Sequence, residues 1–259
     1  MRPASLILAL LLSSGCGRPP DAPEELEELC GYLFAHFDDQ ARRSLRAGTE
    51  NLAVWLEAHL EETLEGYAVD DLTLEAVAKL DHRERSVDNI EGAAVGYESR
   101  HFVDEMVGPL VVDEQEEVFP ESYDSHERTF ETDPECFLER ECDYVRTTNR
   151  VEASYALGLR VTTHAVTEYR WVRTQDGWAL LHRSWLREPA EVNFDWMQVE
   201  AQYYVGASLP REDGAIRLGA AWLDVRLNHS PVPAATALEL VINSMIEDGE
   251  SLDAYLDAL

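Results

Sequence analysis

Lysine is almost missing from this 259-residue chain: Lys79 stands alone, and the other strong bases are arginines. Basic residues of either kind are scarce, with 21 Lys+Arg against 51 Asp+Glu and a formal net charge of −30. A surface of that sign repels phosphate, which excludes nucleic acid as a partner and disfavours flat docking on anionic lipid headgroups. No apolar run reaches the ~20 residues that a membrane-spanning helix needs. The chain has no G-x-S-x-G, no Walker loop and no G-x-G-x-x-G, so it lacks the signatures of serine hydrolases and nucleotide binders. Its eight histidines are scattered, and His59 is followed by Leu-Glu-Glu without a second histidine, so zinc-ligand spacing is absent. The acid-rich segment 113–143 lacks the alternating acids around a central glycine that a calcium loop requires, and reads as a solvated loop. No metal, cofactor or catalytic residue is expected.

The most specific pattern is at the start. Arg2 supplies a positive charge, residues 6–12 an apolar stretch, and Ser13, Ser14 and Gly15 small side chains, which is the layout of an export signal. Residues 12–16, Leu-Ser-Ser-Gly-Cys, resemble the lipobox of bacterial lipoproteins, with Ser13 where that family prefers an aliphatic residue. The resemblance implies that residues 1–15 are removed and that Cys16 carries acyl chains. Each buried methylene contributes about 0.8 kcal/mol to anchoring, so several chains hold permanently. In that family an Asp after the cysteine retains the protein at the inner membrane; Gly17 stands there and implies the outer membrane, facing the periplasm or the cell surface. A signal cut elsewhere, without lipidation, is the alternative. Pro19, Pro20 and Pro23 make residues 16–25 an extended tether of ~3 Å per residue.

Residues 26–259 read as one α+β domain, helical over 26–84 and built from a sheet plus a C-terminal helix over 85–259. Over 24–37 the residues Leu26, Leu29, Cys30, Leu33, Phe34 and Phe37 recur at helical spacing. Gly48 as a stop and Thr49 as an N-cap predict a second helix through Leu64, and a third covers 72–82. The period then changes. From Ala153 to Trp171 odd positions are largely apolar and even ones polar, which predicts one long strand bent at Gly158. Asp176-Gly177 predicts a two-residue hairpin turn, setting Trp171 opposite His182, Tyr169 opposite Ser184 and Arg173 opposite Leu180. Segments 191–205 and 215–227 form a second hairpin joined through 210–214, apolar on both faces, as in a sheet covered twice or wrapped round a cavity. Thr236 and Glu239 make a capping box for a final amphipathic helix, interrupted at Gly249.

An exported chain meets an oxidising compartment, so Cys136 and Cys142 in CFLEREC are the disulfide candidates; closing them demands a tight turn. Cys30 is then a buried free thiol. Tyr169, Trp171 and His182 share one face of the first hairpin and are the candidate ligand-binding residues. On that face His182 could orient a ligand or serve as a general base, and the alternative is a core histidine hydrogen-bonded to a neighbour.

Over residues 97–256 the order of elements, with RWVRTQDGWALLHRSWL, GAIRLGAAWLDVRL and the helix 233–255, resembles the START-like, helix-grip superfamily. That resemblance implies a curved sheet gripping the last helix round a hydrophobic cavity that holds a lipid or other apolar small molecule. The hairpin YRWVRTQDGWALLHRSW also resembles the closing hairpin of the NTF2-like cone, the alternative fold. The expected function is a membrane-anchored envelope lipoprotein with a hydrophobic-ligand domain. The alternatives are a protein-interaction or envelope-assembly component using its acidic surface, and an enzyme with His182 as its base.

Overall fold

Alternating apolar and polar side chains give the C-terminal two thirds its strands, and pairing them leaves two opposite faces to cover. The structure, a computed structural model, describes residues 22–39, 42–81, 87, 89–155, 158–228 and 236–259. The signal segment, Cys16 and the tether up to residue 21 lie outside the described residues. From Ala22 the chain is tied down, because Asn51 Nδ2 donates to the carbonyls of Ala22 at 3.2 Å and Pro23 at 2.8 Å.

The strands are β1 (Tyr67–Val69), β2 (Glu91–Ser99), β3 (Ser125–Phe130), β4 (Tyr144–Ser154), β5 (Arg160–Arg173), β6 (Trp178–Leu186), β7 (Glu191–Val192), β8 (Met197–Arg211) and β9 (Gly214–Leu227). They pair antiparallel in the order β1-β2-β9-β8-β6-β5-β4-β3, with β7 against the start of β5. The helices are α1 (Leu26–Ala35), α2 (Arg43–His59), α3 (Leu74–Val77), α4 (Val103–Val111), α5 (Gln115–Val118), α6 (Pro134–Leu138) and α7 (Thr236–Ala258). The fold is thus α+β, a long curved antiparallel sheet with a C-terminal helix laid across it, as expected. Strands β8 and β9 continue the same sheet beyond the β5–β6 hairpin, and α7 packs on β2 and β9. The residues after that hairpin are therefore not the separate unit that the cone alternative required.

On one face lie α1, α2 and α3. Leu29, Leu33, Phe34, Leu52 and Leu56 pack there with Trp185, Tyr203 and Trp222 of the sheet. This layer is also held by charge. Arg183 and Glu168, each 2% exposed, pair at 2.7 Å, and Arg183 Nη1 donates to the Phe34 carbonyl at 3.0 Å while Nη2 reaches Asp38. The other face carries α4 to α7.

Several expectations are corrected. The stretch 153–171 is not one bent strand: β4 and β5 fold back on each other, Val151 opposite Thr163, and Gly158 at φ +76° lies in the connection. Alternation continues unbroken through a hairpin, so periodicity cannot tell a bend from a reversal. The β5–β6 connection has four residues, closed by Thr174 N–H and Oγ1 donating to the Gly177 carbonyl at 2.9 and 3.0 Å. Tyr169 therefore pairs with His182, Trp171 with Leu180 and Arg173 with Trp178. The slip is two residues, which preserves the face each side chain occupies. In the next hairpin β8 runs on through Pro210 and Arg211, and the turn is two residues.

Gly48 and Thr49 lie inside α2 rather than starting a helix. A Cβ at Gly48 would come within 2.9 Å of Leu33 and Tyr32, so glycine there permits close approach of α1, and Thr49 Oγ1 bonds back to the Leu45 carbonyl at 2.7 Å. Beyond His59 the chain continues as a short 3-10 turn, Leu60–Thr63, and the third helix shrinks to Leu74–Val77. The segment 113–143 is not a plain solvated loop: it holds α5, edge strand β3 and α6. Helix α7 runs through Gly249 unbroken, with Tyr97 packed where a side chain would stand.

Candidate functional site

Between the sheet and α7 lies a cavity of about 330 Å³, within the range of small-molecule sites. Its two ends differ because the same strands carry different side chains at their two ends. Towards the end of β4, the start of β5 and the end of β9 the lining is mostly apolar: Val161, Leu186, Val199, Leu223 and Val225, with Leu240 of α7 above them and Thr163 and Gln202 as polar members. Leu240 and Tyr155, 39% and 41% exposed, mark the opening on this side.

Towards the other end the lining turns polar. Tyr97 on β2, Tyr169 on β5, His182 on β6, Tyr204 on β8, Arg217 on β9 and Asp248 on α7 converge there. The imidazole of His182 sits between two phenol rings, stacked at 5.5 Å from Tyr169 and 5.1 Å from Tyr204. Gly206 and Gly219 make room for this row: a Cβ at Gly206 would strike the imidazole, and one at Gly219 the Tyr204 hydroxyl. Tyr169 donates its hydroxyl to the Leu110 carbonyl at 3.0 Å, fixing the ring.

Burial, reinforced by the Arg217 guanidinium, pushes the His182 pKa down to about 3. The ring is therefore neutral at ordinary pH and too weakly basic to suit general-base work near neutrality. Burial raises the Asp248 carboxyl from 3.8 to about 6, opposed by its hydrogen bond from Ser122 and by Arg217. Arg217 is 7% exposed, its guanidinium lies 4.8 Å from the Tyr97 ring, and its buried Nη1 has no hydrogen-bond partner among the described residues. Arg128 also faces the cavity, but it is engaged, with Nη1 on the Val111 carbonyl and Nε on Asn149 at 3.3 Å.

Of the three ligand-binding candidates, Tyr169 and His182 line the cavity and Trp171 does not. Trp171 shares their face but lies farther along it, roofed by α6: it stacks on Phe137 at 5.7 Å, donates Nε1–H to the Phe137 carbonyl at 3.0 Å, and carries Arg140 at 4.4 Å. Cys136 and Cys142 are bonded to each other, and Cys30 is a buried free thiol that burial pushes far above its ordinary pKa. Sequence reasoning missed Arg217 and Asp248. Both carried a signal: Arg217 is a lone charge in the otherwise apolar AIRLGAAWL, and Asp248 falls on the α7 stripe between Met245 and Leu252. Among the described residues no three His, Cys, Asp or Glu gather as metal ligands, and no helix is long and apolar enough to cross a membrane.

No protein-family model matches this chain, and neither does any curated protein. Solved structures of similar arrangement exist. One is a STAR-related lipid transfer protein from Xanthomonas axonopodis, 11% identical, TM-score 0.43, covering 67% of this chain and 97% of that one. Another is a START superfamily protein from Mycobacterium smegmatis, 10% identical, TM-score 0.39, covering 64% and 97%. A third is the lipid transfer and protein localization domain of human StarD13, 11% identical, TM-score 0.38, covering 78% and 95%.

Proposed function

We propose that this chain is a lipid-anchored lipoprotein of the bacterial outer membrane whose domain binds an apolar small molecule or lipid. The observation that carries the reading is the cavity, walled by the sheet on one side and α7 on the other, mostly apolar over its outer half and open beside Tyr155 and Leu240. Holding such a ligand needs burial of its apolar surface and no reacting group. The anchor rests on the lipobox-like residues 12–16 and places the domain beside a membrane.

Two measurements test it. Native mass spectrometry of the full chain carrying Cys16→Ser, which removes the acyl anchor, is expected to show a bound mass of lipid size that organic extraction strips away. Bare sequence mass, together with no uptake of a fluorescent fatty-acid analogue by the extracted protein, ends the binding reading. Radiolabelled palmitate fed to cells is expected to mark the wild-type chain and not Cys16→Ser, and an unlabelled wild type ends the anchor reading.

A further inference from the structure

The geometry points to a carboxylate subsite at the inner end of the cavity, with Arg217 receiving the head of a fatty-acid-like ligand bound head-in. The inference rests on the proposed function and specifies its ligand class. Three observations carry it. Arg217 is 7% exposed, yet among the described residues its buried Nη1 has no hydrogen-bond partner and the side chain forms no ion pair. A buried guanidinium left so is costly, and an acceptor supplied by a ligand removes the cost.

Charge gives the second observation. On a chain of net charge −30, the charged groups lining the cavity among the described residues are two guanidiniums, Arg128 and Arg217, and one carboxylate, Asp248; His126 and His182 are neutral, pushed down to about 4 and about 3. One positive charge is in excess, which a single negative charge balances. A carboxylate supplies one, with two coplanar oxygens that match a guanidinium fork, whereas a doubly charged phosphate leaves the second charge facing Asp248. Direction is the third. Val225 lies eight positions along β9 from Arg217, about 26 Å along the strand, and the lining changes from polar to mostly apolar over that length. An acyl chain with its carboxylate at Arg217 points its tail along β9 towards Leu223, Val225 and Leu240.

The test is isothermal titration calorimetry of the full chain carrying Cys16→Ser, stripped of bound lipid, with three probes that share a dodecyl-length chain, each below its solubility or micelle limit: laurate, dodecanol and dodecyltrimethylammonium. Laurate is expected to bind at least tenfold more tightly than dodecanol, and the cation most weakly. Arg217→Met is expected to lower laurate affinity at least tenfold and leave dodecanol within threefold; Arg217→Lys retains part of the preference. Equal affinity of the unsubstituted cavity for laurate and dodecanol overturns the subsite while leaving the apolar-binding reading intact. Absence of binding by all three probes removes both. The wild-type ranking decides the matter by itself if Arg217→Met does not fold, and a folded Arg217→Met that keeps the laurate preference overturns the assignment to Arg217.

Discussion

His182 lies across the backbone of Gly206, its paired residue on the neighbouring strand, so close that a methyl group at Gly206 would occupy the imidazole. Glycine at that point lets β8 act as a floor for a ring projecting from β6. The same device recurs one strand away, where Gly219 accommodates the Tyr204 phenol.

Gly206→Ala is therefore expected to push His182 into the cavity, because the backbone beneath it cannot retreat. Overpacking of this kind costs about 1–3 kcal/mol, measurable by urea unfolding. Affinity for laurate should fall with it, and a variant with unchanged stability and binding contradicts the packing described here.

Titration of the inner cavity has two opposing signs. His182 and His126, held down at about 3 and about 4, remain neutral in the folded chain while the unfolded chain takes up protons below about 6.5. Their contribution is complete above that value and is lost as pH falls. Asp248, raised to about 6, keeps its proton in the fold between 3.8 and 6 while the unfolded chain releases it, so its contribution is complete below 3.8 and is lost as pH rises. Ser122, Arg217 and Glu247 are the groups that act on this carboxyl besides its burial. Asp248→Asn removes the opposing group. The variant should gain on the wild type by roughly 2–3 kcal/mol between pH 3 and pH 7, read from urea unfolding at each pH. Parallel pH profiles rule out a buried, raised carboxyl.

Glu168 joins the sheet to the helical layer through Arg183. Its removal takes the buried carboxylate from a guanidinium that is 2% exposed, leaving it the Phe34 carbonyl and Asp38, and also takes an acceptor from Arg146 and Tyr144. Glu168→Ala should cost about 3–5 kcal/mol, the range for breaking a buried pair. The loss should be visible as a lowered unfolding midpoint with an unchanged denaturant slope.

Cys136 and Cys142 close a short loop, so their bond constrains little of the unfolded chain. Replacing both by serine is expected to cost about 2 kcal/mol and to loosen Phe137 from Trp171, which near-ultraviolet circular dichroism reports. Ligand affinity should change less than twofold, because Trp171 lies outside the cavity lining.

The helical start, the strand-rich middle and the amphipathic end were legible because periodicity depends only on which side chains must face apolar surroundings. Leu29, Cys30, Leu33 and Phe34 gave α1 its buried face in this way. The parity of the β5–β6 hairpin was equally legible, so Tyr169 and His182 were placed on the correct face even with the register two residues out. Loop lengths were not. Thr174 caps a four-residue connection through a hydrogen bond to the Gly177 carbonyl, and nothing in Asp176-Gly177 alone distinguishes that from a two-residue turn.

By itself the sequence determined the fold class, the strongly anionic surface and which side chains share a face, since each follows from local pattern or from composition. Only the tertiary structure decided what those faces meet. Burial of Trp171 under α6, the glycine floor beneath His182 and the approach of Asp248 to Arg217 depend on elements many residues apart coming together, and a contact of that kind leaves no periodic mark along the chain.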